Sequence, residues 1–400
     1  MALWYPRVVE AHLRELADLV LRWVHLIAGI MWIGNSLLFN WLDRNLEKPK
    51  DAPAGYDGKI WLLHSGGFYD VDKKLLKPGE LPKNLHWFKW QNFSTWASGI
   101  LLLFVVYYAG KGALLVDPTV RALNPTIAIV IGVSSIVVSW FFYDLLWSSP
   151  LRKYDVVAAI ITFAYVVGLA YALTHLFSGR AAYIHVGVTV GSIMTGNVWF
   201  VIVPSQRELV AATTEGREQD PKIGQRAKQR SIHNNYLTFP LLFIMISNHF
   251  PSTYGNKLAW IVLAVIAVGG ALVRHLMNIR FGWSGWFPWA AGVVMVTLGS
   301  VFLLTKPKEE PEAAQVATYA DARRVVDARC VQCHSAHPTD DTWKVPPNGV
   351  KMDTEAEMRA LAPRIKERAA VQKTMPLGNK TGCTDDERAV LRSWVDHGAM

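Results

Sequence analysis

The sequence predicts an all-α protein, a polytopic membrane helix bundle followed by a small soluble helical domain. Three observations carry this. Of the 400 residues, 51% are hydrophobic and only 18% charged, whereas a soluble chain carries about 25% charged residues. Eight apolar runs come close to the roughly 20 residues that a hydrocarbon core demands of a helix. Residues 315–400 then change to an amphipathic, helix-rich pattern with 13 Lys/Arg against 12 Asp/Glu.

The runs are 17–42, 93–115, 125–147, 156–177, 182–203, 235–250, 257–275 and 285–305, the sixth being the shortest. The first is too long for a signal-peptide core, starts at Arg14 and Glu15 and lacks a small-residue cleavage site, so it is expected to be retained. Between the first two lies the loop 43–92. Its part Lys59–Lys73 alternates and predicts a hairpin, and His86-Trp87-Phe88-Lys89-Trp90 reads as an interfacial aromatic belt.

An even number of spans puts both termini on one side. Segments 43–92, 148–155, 204–234 and 274–284 hold 19 Lys/Arg, against six in the N-terminus and the alternate loops. Positive loops stay cytoplasmic, so both termini should be periplasmic, in the cytoplasmic (inner) membrane of a bacterium. The same asymmetry accounts for the net charge of +9 without a nucleic-acid partner; membrane lipid is the partner it implies.

After the membrane domain, 1–305, the Pro-, Glu- and Lys-rich stretch 306–314 reads as a linker. In 315–400, the segments 318–330, 354–369 and 384–399 are helical in pattern, with Thr384 and Glu387 spaced as a capping box.

Cys330-Val331-Gln332-Cys333-His334 has the C-x-x-C-H spacing in which two thiols form thioethers to a porphyrin and the next residue ligates iron. Zinc would want a second pair, and the remaining Cys383 is 50 residues away. The domain is therefore expected to be a class I-like cytochrome c with one covalent haem c on Cys330 and Cys333. Its iron would lie between His334 and a sixth ligand, for which Met375, stiffened by Pro376, is preferred over Met352 and Met358. Cys383 reads as a small buried hydrophobe.

Ionisable residues within membrane spans are functional candidates. His25, His175, His185 and His249 fall on the outer side, and His233, His275, His64 and His86 on the cytoplasmic side. His25, on a Gly-rich face, could pair with His185 to hold a further, b-type haem, although a histidine hydrogen-bonded to a neighbouring helix would look the same in sequence.

Several long segments resemble one family. HNNYLTFPLLFIMISNHFP (233–251), GKIWLLHSGGFYDVDKK (58–74), LHWFKWQNFSTW (85–96) and RHLMN (274–278), followed by CVQCH and TMPLGNKTGCTDDER, are similar to the membrane-bound, cytochrome c-type urate oxidases. Cys383 departs from the pattern, since relatives tend to carry Met there. The resemblance implies oxidation of urate to 5-hydroxyisourate. Electrons would pass through the fused haem c to a respiratory acceptor, a soluble cytochrome c or a terminal oxidase, without peroxide release. With urate as substrate, Arg274, Lys89 and Arg230 become anion partners, while Asn234, Asn235, Asn248 and His249 could hydrogen-bond the purine. The candidate catalytic set is His249, Asn248, Asn234 and His25, and His249→Ala should then abolish urate-dependent reduction. The alternative is an electron-relay cytochrome fed by quinol or a protein partner, with no substrate chemistry of its own.

Overall fold

The computed structural model describes residues 5–110, 112, 114–306 and 316–399, with backbone alone for 5–11. From residue 307 on, the linker expected at 306–314 lies outside the described residues.

Helix α1 spans Tyr5–Asn45, starting well before the expected 17. An antiparallel hairpin follows, β1 (Tyr56–His64) and β2 (Gly67–Lys74), pairing His64 with Gly67. Its two-residue turn has Ser65 at φ 51° and Gly66 at φ 76°, the left-handed pair whose twist matches that of the strands. The chain continues as α2 (Trp90–Leu103, extended by a π-helical turn to Tyr108), α3 (Pro125–Ser148), α4 (Asp155–Thr174) and α5 (Gly179–Gly196). A π-helical turn, Asn197–Ile202, joins α5 without a break to α6 (Val203–Glu215). Then come α7 (Pro221–Ile246), the short α8 (Pro251–Tyr254), α9 (Ala259–Ile279) and α10 (Trp286–Thr305).

Every expected span is helical, but the boundaries move. Among the described residues, six helices are long and apolar enough to cross a membrane: His12–Asn45, Pro125–Ser148, Asp155–Thr174, Gly179–Glu215, Ala259–Ile279 and Trp286–Thr305. Segments α2 and α7 fall short of that standard, α2 by length and α7 because its first half, PKIGQRAKQR, is polar. Residues 204–234, expected to be a loop, are mostly helical.

The bundle is organised around α5. In its most apolar window 61% of residues are buried, against 6–22% in the other five long apolar helices; it is the one helix surrounded by protein instead of facing lipid. Close approach of α3 needs Gly132 and Gly196. A Cβ at Gly132 would lie 2.7 Å from His185 Nε2, and one at Gly196 would collide with the Trp140 ring.

The connections sort to two ends. At one end, Ser178 N donates to Leu115 O at 2.9 Å and Tyr254 lies over Gly179. At the other, Arg226 Nη2 donates to Ser148 Oγ at 2.8 Å, Gln229 Nε2 to Asp155 Oδ1 at 2.7 Å, and Pro78 packs on Gly216. These are the two groups of loops that the charge asymmetry separates.

The C-terminal unit has its own core. Helices α11 (Tyr319–Arg329), α12 (Glu355–Ile365) and α13 (Asp385–Asp396) bury Val326, Met358, Leu391 and Trp394. Each begins with a complete capping box, Thr318/Asp321, Thr354/Glu357 and Thr384/Glu387, satisfying two orphan N–H donors apiece. It meets the bundle at the α8–α9 connection, where a Cβ on Gly255 would lie 3.1 Å from Gln372 O.

Candidate functional site

The π-helical turn after α5 has a local cause. Pro204 has no N–H to give to Phe200 O and its ring crowds that carbonyl, so the helix widens just before it. Such turns often mark functional sites. Here the turn starts at Asn197, which is fully buried. Asn197 Nδ2 donates to Tyr143 Oη at 3.0 Å and to Asn234 Oδ1 at 2.9 Å, and Asn234 Nδ2 donates to Met194 O at 2.9 Å. Tyr143 Oη is 2.7 Å from His233 Nδ1, and the His233 ring lies against Trp147 with centroids 4.0 Å apart.

Below this network sits a guanidinium with 0% exposure, that of Arg230. Its Nη2 reaches Asp144 Oδ1 at 2.7 Å, and its charge lies 4.8 Å from the Tyr143 ring centre. Arg226 approaches the same carboxylate at 3.6 Å. Two guanidinia share one carboxylate, so the cluster carries one uncompensated positive charge. On the α2 side of the turn, Lys89 is lodged among Trp87, Trp90 and Trp199 at 5.3–5.8 Å from their centroids.

Burying a polar atom without a partner costs free energy, and several such atoms lie in this cluster. Nε and Nη1 of Arg230, Arg226 Nε and Asn197 Oδ1 are buried with no hydrogen-bond partner among the described residues. Donors and acceptors left open together, with net positive charge and aromatic walls, suit a planar, hydrogen-bonding anion.

Of the residues that the sequence singled out, Asn234 and Arg230 lie here, while Lys89 is on the α2 side against Trp199. The others are dispersed. Asn235 and Arg274 lie across α7, where Asn235 accepts from Arg274 Nε. Asn248 is at the opposite end, accepting from Arg180 Nε at 3.1 Å, with the Tyr107 hydroxyl near both. His249 is exposed at that same end. The set His249, Asn248, Asn234 and His25 is therefore not one site: α7 alone separates Asn234 from Asn248 by 14 residues, about 21 Å at 1.5 Å each.

His25 and His185 are both placed by hydrogen bonds to protein. His25 Nδ1 bonds Thr95 O at 2.9 Å and lies 3.1 Å from Ser98 Oγ. His185 uses both ring nitrogens, Nδ1 to Ala181 O at 2.8 Å and Nε2 to Tyr108 Oη at 2.9 Å, with Phe177 against its ring. The two histidines rest on different neighbours.

In the C-terminal unit, His334 N bonds Cys330 O at 2.9 Å in a tight turn at the end of α11. His334 Nδ1 faces Val350 O at 3.1 Å, so the proton sits on Nδ1 and Nε2 keeps its lone pair. Burial lowers the imidazole pKa, keeping it neutral. Burial pushes the Cys330 thiol up to about 12 and the Cys333 thiol up to about 11, the reverse of a reactive dithiol. Among the described residues, no group of three or more His, Cys, Asp or Glu is arranged to hold a metal ion. Met375 packs against this core, its carbonyl accepting from Arg388 Nη1 at 2.7 Å, while Arg388 Nη2 donates to Asn379 at 3.1 Å. Cys383 is buried at 4% exposure, as expected of a small hydrophobe.

Sequence reasoning missed Asn197, Tyr143, Asp144 and Arg226. One signal was available: Asp144 is the lone acidic residue of the apolar α3, and a carboxylate in a span demands a cationic partner.

A family model described as urate oxidase N-terminal matches residues 11–305. No curated protein and no solved structure matches the chain.

Proposed function

The chain belongs to the urate oxidase N-terminal family, and on that premise we propose that it oxidises urate at the Arg230–Asn197 cluster and passes the electrons to a haem c held by its C-terminal unit. The observation that carries the location is the buried, half-used guanidinium of Arg230.

Urate is a planar anion whose edges alternate N–H donors and carbonyl acceptors. Nη1 and Nε of Arg230, on different sides of the guanidinium, are charged donors left open for a deprotonated edge. Asn197 Oδ1 accepts from a ring N–H. Conversion of urate and water to 5-hydroxyisourate releases two electrons and two protons. His233 and Tyr143, hydrogen-bonded to each other, are the groups placed to take the protons; Asn197 and Asn234 hold Tyr143 and the substrate edge in register.

The donor set of the C-terminal unit fits a covalent haem. Cys330 and Cys333 are free and unpaired, His334 keeps Nε2 open by bonding Val350 through Nδ1, and Met375 lies in the same core. When bound, the group supplies a one-electron acceptor, so each urate requires two transfers to a respiratory acceptor, a soluble cytochrome c or a terminal oxidase. A b-type haem between His25 and His185 would take Nε2 of each ring, in His185 the nitrogen that otherwise bonds Tyr108. The orientation follows the charge asymmetry: Arg230 end cytoplasmic, C-terminal unit periplasmic.

The test is an anaerobic optical spectrum of the solubilised, pre-oxidised protein after adding urate. Appearance of the reduced haem c band, lost in Arg230→Gln while dithionite still reduces that variant, supports the reading. A spectrum that stays oxidised with urate but responds to a quinol overturns it in favour of an electron relay.

A further inference from the structure

Arg274 on α9 is 4% exposed, and its only hydrogen bond among the described residues is from Nε to Asn235 Oδ1. Asn235 Nδ2 in turn donates to Asn278 Oδ1 at 3.1 Å. This relay fixes the guanidinium by its stem side and leaves both Nη groups unassigned. Asn278, 5% exposed, has its Nδ2 buried without a partner beside them. No Asp or Glu among the described residues pairs with Arg274. Arg230 has Asp144, whereas Arg274 has no acidic partner among the described residues and rests against the Phe239 ring at 5.7 Å. A buried, uncompensated charge is strongly destabilising, so the fold expects an anion from outside.

We propose that Arg274 and Asn278 form a binding site for a phosphate-type oxyanion at the α7–α9 face, separate from the Arg230 cluster. The free fork of Arg274 matches two phosphate oxygens, and Asn278 Nδ2 supplies a third donor. Arg280, stacked on Phe281 at 4.4 Å, stands where the helix leaves the apolar layer, the depth of lipid phosphates. An anionic phospholipid headgroup is one source of this chemistry and free phosphate is the other. The inference does not depend on urate being the substrate.

The test follows thermal unfolding of the full-length protein, delipidated in a non-ionic detergent with chloride as the only added anion. Phosphatidylglycerol or inorganic phosphate should raise the midpoint of the wild type by about 5 °C at saturation. Arg274→Met should lose that rise, and in the absence of added anion its midpoint should equal or exceed that of the wild type. A rise with phosphatidylglycerol alone assigns the lipid as the source; a rise with inorganic phosphate assigns the free ion. Asn278→Ala, which keeps the charge, should weaken binding about tenfold and guards against a misfolded Arg274→Met. No rise with either probe, or an equal rise in both variants, overturns the site. Stabilisation by urate alone, lost in Arg274→Met, also overturns it and moves the substrate to Arg274.

Discussion

Arg230 donates to Asp144 through Nη2 at 2.7 Å while Nε and Nη1 of the same guanidinium, at 0% exposure, bond nothing among the described residues. The ion pair engages Nη2 and leaves the N–H donors of Nε and Nη1 open on either side of it. Replacing Arg230 by Lys keeps a charge for Asp144 but removes those donors. Arg230→Lys should lower kcat/KM for urate by about 100-fold, some 3 kcal/mol for lost charge-assisted hydrogen bonds. Single-turnover reduction of haem at varied urate concentration measures it, with dithionite-reducible haem as the control for folding.

Asn197→Ala removes the hub that ties Tyr143 to Asn234. The variant should still fold, bind haem and accept electrons from dithionite, but show urate-driven reduction at least tenfold slower, as expected for loss of a positioned polar group. Rates equal to wild type would remove this cluster from the reaction.

His249→Ala now carries a different expectation from the one its sequence motif suggests. His249 is exposed at the end of the bundle opposite Arg230, so urate-driven reduction should stay within about threefold of wild type. Loss of activity with haem retained would relocate the site to the Arg180–Asn248 end.

Met375→Ala tests the sixth ligand. Loss of a thioether ligand should lower the haem potential and open the iron to water, read by redox titration and by the loss of thioether-to-iron absorption. An unchanged potential excludes Met375.

The C-terminal unit should show a pH-dependent stability traceable to Asp340. Burial opposes its ionisation, yet Lys380 and the backbone N–H groups of Thr342 and Trp343 hold its carboxyl below the ordinary range. A folded-state pKa below the unfolded value of about 3.9 contributes stability above that pH and loses it as pH falls through the folded value. Thermal unfolding followed at the haem band should show Asp340→Asn less stable than wild type at pH 7, with the gap closing as pH falls below the ordinary carboxylate range.

Much of this architecture was legible because its signals are local. Apolar run length marked the helices, the alternation of Lys59–Lys73 marked the hairpin, and the C-x-x-C-H spacing marked Cys330, Cys333 and His334. The loops divided into two groups by charge fall at two ends of the bundle. What sequence did not show is pairing across distance. Asn234 and Asn235 are neighbours in the chain, yet 100° of helical rotation sends one to Asn197 and the other to Arg274. The motif around His249 looked continuous with them because a string of letters conceals the length of α7. The widening of the helix at Asn197 comes from Pro204, seven residues on, whose effect on side-chain direction has no compositional mark.

The C-terminal unit meets the bundle at Gly255 and Gln372, whereas the Arg230 cluster lies at the other end. In the proposed orientation, each electron leaving urate moves outward across the span, and the membrane potential, negative inside, pulls it that way. About 2.3 kcal/mol per electron is gained for each 100 mV crossed. An energised membrane would drain urate oxidation forward and hold its reversal in check. The electrons would arrive outside with part of the cell's stored electrical energy spent on making the step one-way.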